Sequence, residues 1–254
     1  MVNNNKWIIR PNPKKNAKLR LFCFPYAGSS SVVTYRHFVE SLPAFVEVCP
    51  VELPGRGARM SENLINDLEH VVEQISNSIK DYLDIPFAFF GHSIGALFSY
   101  ELSHKVSNKY MKKPQKLYVS AHKAPFSEKN GPIMHKLNSN EFTAELRKME
   151  GIPKEMMEHK ELMELMLPII RNDYAVCETY RFKEREVLDI PITIFGGSED
   201  KDISEDDLLE WENLTNSNFR KVMIKGDHFF IIKEKKHFTK LLSEILSNDF
   251  SHIL

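Results

Sequence analysis

The sequence predicts an α/β fold, a doubly wound and mostly parallel sheet interrupted by an inserted helical segment. Short apolar runs alternate with stretches of helical apolar periodicity, and glycine or proline stops most of the runs. About 70 residues of helical character separate the fourth run from the fifth, far more than the 2–6 residue connections usual in such units. Strands alternating with helices imply parallel pairing, with helices on both faces of one sheet.

The first 20 residues are rich in Asn, Lys and Pro and contain no apolar segment of signal-peptide type. After this leader, Leu19–Phe24 is an apolar run closed by Pro25 and Gly28, hence a buried strand entering a loop. Val46–Val51 is the next strand, and the composition of Leu53–Gly57 makes it a turn. Apolar positions from Leu64 to Leu83 (Leu68, Val71, Val72, Ile75, Ile79 and Tyr82 among them) repeat at helical spacing, giving an amphipathic helix with one face on a sheet. The pattern then recurs: a strand at Phe87–Phe90, a helix from about Ile94 to Val106, and a strand at Lys116–Ser120. Later strands fall at Ile192–Phe195 and Lys221–Ile224. The expected organisation is a core of residues 1–121 and 189–254 with an insertion at 122–188. The insertion includes Met149, Met156, Met157, Met163 and Met166 among the chain's 10 methionines.

Lys+Arg number 34 and Asp+Glu 35, a formal net charge of −1, which provides no field to hold nucleic acid or anionic lipid. Cys23, Cys49 and Cys177 are odd in number and widely spaced, unlike a disulfide framework or a C-x-x-C pair, so a reducing cytoplasm is expected. No stretch approaches the roughly 18 apolar residues of a membrane helix. A fold that closes its own core is expected to be a monomer.

Gly91-His92-Ser93-Ile94-Gly95 matches G-x-S-x-G between an apolar strand and a periodic helix, the context in which such a serine is lifted above a sheet edge as a nucleophile. A serine hydroxyl needs a base to take its proton and an acid to orient that base. The turn after the Ile192–Phe195 strand offers Glu199, Asp200 and Asp202, among which position alone does not choose. His228, after the Lys221–Ile224 strand, is the expected base; His92 occupies the variable position of the motif and is expected to pack. An oxyanion needs aimed N–H donors, for which the candidates are the backbone of Ile94 and of Ala27 in Pro25-Tyr26-Ala27-Gly28.

Taken together with Pro54-Gly55-Arg56-Gly57-Ala58-Arg59, Leu167-Pro168-Ile169-Ile170-Arg171-Asn172-Asp173, Gly197-Ser198-Glu199-Asp200 and Gly226-Asp227-His228-Phe229-Phe230, these motifs resemble the type II thioesterases that accompany nonribosomal peptide and polyketide synthases. The resemblance runs from about residue 18 to 240 and implies an α/β-hydrolase fold with a helical lid at 122–188. It also implies hydrolysis of acyl thioesters on the phosphopantetheine arm of acyl or peptidyl carrier proteins, with Ser93 as nucleophile, Asp200 as acid, His228 as base, and Ala27 and Ile94 as oxyanion donors. No metal and no cofactor of the enzyme's own is implied, because the pantetheine belongs to the substrate. Asp227 departs from the family, which often has glycine there.

Candidate substrate-binding residues are Tyr26, Met157, Met163 and Phe229. The insertion's methionines suit either an adaptable apolar channel or an ordinary core. Lys105, Lys109, Lys112, Lys113 and Lys116 form a basic cluster, expected to be a solvated face about 20 Å from the serine at 1.5 Å of helix rise per residue. The alternative functions are a carboxylesterase or lipase of small free esters, and a carrier-binding accessory protein whose hydrolysis is incidental.

Overall fold

The computed structural model describes residues 5–128, 131–149 and 159–253. Six strands, β1 (Leu19–Phe24), β2 (Val46–Pro50), β3 (Phe87–His92), β4 (Leu117–Ser120), β5 (Ile192–Gly197) and β6 (Phe219–Ile224), form one sheet in the order β2-β1-β3-β4-β5-β6. Every neighbouring pair in it is parallel. Strands β1 to β5 are buried along their whole length, which is why they read as continuous apolar runs rather than alternating ones.

Helices cover both faces. Along β1, Phe22 and Phe24 enter a cluster with residues of α3 (Leu68–Ile79) and α4 (Ile94–Tyr110). Leu21 and Cys23 point the other way, toward α2 (Arg36–Ser41) and α9 (Lys235–Asp249). Shorter helices are α1 (Ser31–Thr34), α7 (Glu205–Leu209) and α8 (Phe230–Lys233).

Between β4 and β5 lie α5 (Ser139–Lys148) and α6 (Lys160–Thr179). Phe142, Leu146 and Ile170 form a small core here with Met134, and Met149, Met166, Leu167 and Tyr174 pack against it. Met134, Met149 and Met166 thus serve as local core.

Element ends differ from the sequence reading where tertiary partners decide them. α3 begins at Leu68, not Leu64, because the Asp67 carboxylate accepts the His70 N–H at 2.7 Å and caps the helix there. Ahead of it, the Ile65 carbonyl is held by the Asn172 side chain at 2.9 Å. β3 extends through Gly91 and His92 because its pairing with β4 continues to His92 opposite Ser120. The polar leader is ordered against the sheet: Ile8 bridges Val51 antiparallel, Ile9 N–H donates to the Pro50 carbonyl at 2.9 Å, and Arg10 pairs with the buried Glu47 at 2.6 Å.

The strand order reverses between β1 and β3, so the loops leaving their carboxyl ends diverge and leave a crevice there, the usual ligand position in open α/β sheets. Phe24 and Gly91 are register partners. The Pro25–Gly28 loop and the residues around Ser93 are therefore neighbours.

Candidate active site

Ser93 joins β3 to α4 at φ 54°, ψ −127°, a conformation unfavourable for a residue with a side chain. The surroundings hold it there: its N–H donates to the Ser120 carbonyl and its carbonyl accepts from Ala96 N–H, both at 2.8 Å. A Cβ added at Gly91 would overlap the Gly95 carbonyl, and one at Gly95 would overlap the Phe24 carbonyl. Both glycines are therefore required by close approach of backbone, the second of them to the end of β1.

The turns after β5 and β6 meet. His228 Nδ1 lies 2.8 Å from Asp200 Oδ2, and the Asp200 side chain is 1% exposed. Its other oxygen accepts the N–H groups of Asp202 at 2.9 Å and Ile203 at 3.2 Å, so the carboxylate is aimed by its own turn. Glu199 and Asp202 are exposed. Asp227 turns away from its histidine neighbour: one oxygen accepts Phe229 N–H at 2.9 Å and the other pairs with Lys233. Its carboxylate serves the loop.

The His228 ring is 5.3 Å from that of His92, the residue before Ser93. His92 is fully buried, hydrogen-bonded through Nδ1 to Ser120 Oγ at 2.9 Å, and burial together with the neighbouring His228 holds its imidazole well below the ordinary histidine range. It is a neutral packing group under the nucleophile. Tyr26 stands edge-on to His92 at 5.9 Å and to Phe229 at 5.4 Å, and Phe229 stands 5.0 Å from His228. Tyr26 and Phe229 are thus brought to the base. Met163 is buried on α6, and Met157 lies outside the described residues.

Ile94 is the first residue of α4, so its N–H has no acceptor within the helix and points out of the helix N-terminus beside Ser93. Ala27 is half-buried in the loop after β1. The next residue, Gly28, has φ 78° and donates its N–H to Asp173 Oδ2 at 2.7 Å. Asp173 is also paired with Arg56, and the sequence reading gave neither residue a role.

Each lysine of the cluster has a partner: Lys105 and Lys109 bind Glu73, Lys113 binds Asp189, Lys116 binds Asp249, and Lys112 donates to the Leu83 carbonyl. Lys105 and Lys109 pull the Glu73 carboxyl down to about 2. Among the described residues no group of three His, Cys, Asp or Glu side chains is arranged to hold a metal ion, and no helix is long and apolar enough to cross a membrane.

The profile of a family described as "Thioesterase domain" matches residues 19–248. The Gramicidin S biosynthesis protein GrsT of Aneurinibacillus migulanus is 39% identical over 233 residues, covering 91% of this chain and 90% of that one. The protein named linear gramicidin dehydrogenase LgrE, of Brevibacillus parabrevis, is 35% identical over 250 residues, covering 97% and 95%. Its name describes a redox activity of that protein; here the loop after β1, Pro25-Tyr26-Ala27-Gly28-Ser29-Ser30, lacks the G-x-G-x-x-G of a dinucleotide-binding turn. Among solved structures, the RedJ thioesterase from the prodiginine pathway of Streptomyces coelicolor superposes with a TM-score of 0.84 at 29% identity, covering 92% of this chain and 91% of that one.

Proposed function

Because the chain belongs to the thioesterase family, we propose that it is a type II thioesterase that hydrolyses acyl groups from the phosphopantetheine arm of carrier proteins, clearing a nonribosomal peptide or polyketide synthase of misloaded units. The relatives named for gramicidin and prodiginine pathways support that substrate class. The single observation that carries the chemistry is the Asp200–His228 pair standing 5.3 Å from the ring of His92, the residue before the strained Ser93.

In the proposed reaction His228 Nε2 takes the Ser93 hydroxyl proton as Oγ bonds to the thioester carbonyl carbon. The Ile94 and Ala27 N–H groups receive the oxyanion. As the tetrahedral centre collapses, the carbon–sulfur bond breaks and His228 returns the proton to the departing thiolate. Water then enters by the same route, His228 taking its proton, and the acid leaves as the proton goes back to Ser93 Oγ. Throughout, Asp200 holds the tautomer with the proton on Nδ1 and stabilises the imidazolium. The pantetheine is part of the substrate, and this sequence of steps uses no other group.

Residues 122–188 serve in this reading as the lid over the crevice, with Tyr26, Phe229, Met163 and Met157 contacting the acyl chain. The carrier approaches the lid and the mouth above Ser93. The enzyme works as a monomer in the cytoplasm.

The test is mass-spectrometric release of several acyl groups from a loaded carrier protein. Wild type clears the carrier and Ser93→Ala leaves it loaded. On the carrier-bound thioester kcat/KM should exceed that on the free acyl-pantetheine by at least about tenfold. Equal values would leave an unspecialised ester hydrolase. Pathway output that survives Ser93→Ala with no hydrolysis would leave a carrier-binding accessory.

A further inference from the structure

The loop that carries Ala27 is tied down by a buried ion pair that the proposed reaction does not use. Arg56 lies in the turn after β2 and Asp173 on α6. Nη1 is 2.6 Å from Oδ2 and Nη2 2.9 Å from Oδ1, a two-pronged pair with side chains 4% and 3% exposed. The same Oδ2 accepts the Gly28 N–H, one residue beyond Ala27. A Cβ on Gly28 would overlap the Ile170 side chain, so α6 also packs directly beneath the loop.

A second carboxylate grips the far side of this loop. Glu52 Oε2 accepts from Ser30 Oγ and, at the start of α1, from Val32 N–H, each at 3.1 Å, and burial raises its carboxyl above the ordinary carboxylate range. Asp173 thus holds the backbone of this loop at Gly28, and Glu52 holds its far end where it enters α1.

Stability alone is a weak reason for this arrangement. A buried ion pair loses most of its attraction to desolvation, and apolar replacements of equal volume are often neutral or better. A forked pair does fix direction. Direction matters for an N–H that must meet an oxyanion, since such donors act through their aim.

We propose that Arg56 and Asp173 are positioning residues for the oxyanion hole: by fixing Gly28 they aim the Ala27 N–H, and they link that aim to α6. The proposal rests on the hydrolase reading above. Neither residue touches the substrate.

The test compares wild type, Asp173→Asn and the paired replacement Arg56→Met with Asp173→Leu, which removes both charges of the pair together. Active sites are titrated with a fluorophosphonate, so every rate is expressed per competent site whatever fraction of a variant folds. Turnover of a short p-nitrophenyl ester should fall about 10- to 100-fold in kcat with KM within about threefold. Affinity for an alkyl trifluoromethyl ketone, whose adduct with Ser93 mimics the tetrahedral oxyanion, should weaken by the same factor. Normal kcat per titrated site, or unchanged ketone affinity, overturns the proposal and leaves the pair a structural tie. Ser93→Ala separates the two levels: if it still hydrolyses, the hydrolase reading fails; if it is inactive while the Arg56 and Asp173 variants turn over normally, only the positioning role fails.

Discussion

Asp200 shows what a single side chain contributes. Its Oδ2 faces His228 and its Oδ1 is anchored by two backbone N–H groups, so replacement by Asn keeps the shape but offers the imidazole the wrong partner. Asp200→Asn should lower kcat by about 10³–10⁴ while leaving the melting temperature nearly unchanged, as followed by steady-state kinetics and calorimetry. Gly95→Ala is the contrasting case. Its Cβ would meet the Phe24 carbonyl, so the backbone of β1 or α4 must shift, and thermal unfolding should show lost stability along with lost activity. Ser93, Asp200 and His228 were legible as residue types at the ends of particular strands. The choice of Asp200 over Glu199 and Asp202 was not, because it depends on which way a turn directs each carboxylate. Arg56 and Asp173 were quoted in motifs without a role, since they are 117 positions apart and nothing local marks them as partners.

Helix α4 carries a titration that its periodicity does not reveal. His104 is buried against the Tyr100 ring, and burial, with Arg185 nearby, lowers its imidazole to about 4. Because the folded value lies below the unfolded one of 6.5, the unfolded chain binds the extra proton between those limits. Stability should be full above pH 6.5 and decline as pH falls toward 4, with His104 accounting for on the order of 2 kcal/mol. Denaturant unfolding at pH 7 and pH 5 checks this, and His104→Leu should reduce the difference, leaving the part that buried His92 contributes. In α5 the Asn138 and Glu141 side chains form a reciprocal cap, so Asn138→Ala should cost about 1 kcal/mol in the same assay. The strands were legible because burial on both faces makes them continuously apolar. Their ends at Gly91-His92 and Gly196-Gly197 were not, since pairing with a neighbour sets them. Leu64 fitted the helical spacing but packs over Gly55, outside the helix.

Across the whole molecule, the length of α4 separates the chemistry from the charge. Ser93 caps α4, and the paired lysines begin 12 residues farther along, roughly 18 Å away by helix rise. Charge reversal at Lys105 and Lys109 should therefore leave kcat/KM on an acyl carrier within about twofold of wild type at moderate salt, since exposed charges at that range are screened. The parallel sheet was legible from spacing alone, whereas the place of the segment around Ile8 beside it was not, because polar neighbours conceal its backbone pairing with Val51 and Pro50. That pairing bears on how the molecule avoids its own copies. A bare outer strand is a template for a second chain, and β2 lies at one rim of the sheet. The opposite rim, β6, carries Arg220 and Lys221 as electrostatic deterrents, while β2 relies on the wrapped segment around Ile8. In a protein trimmed back to Asn16, light scattering should grow with concentration more steeply than in the full chain.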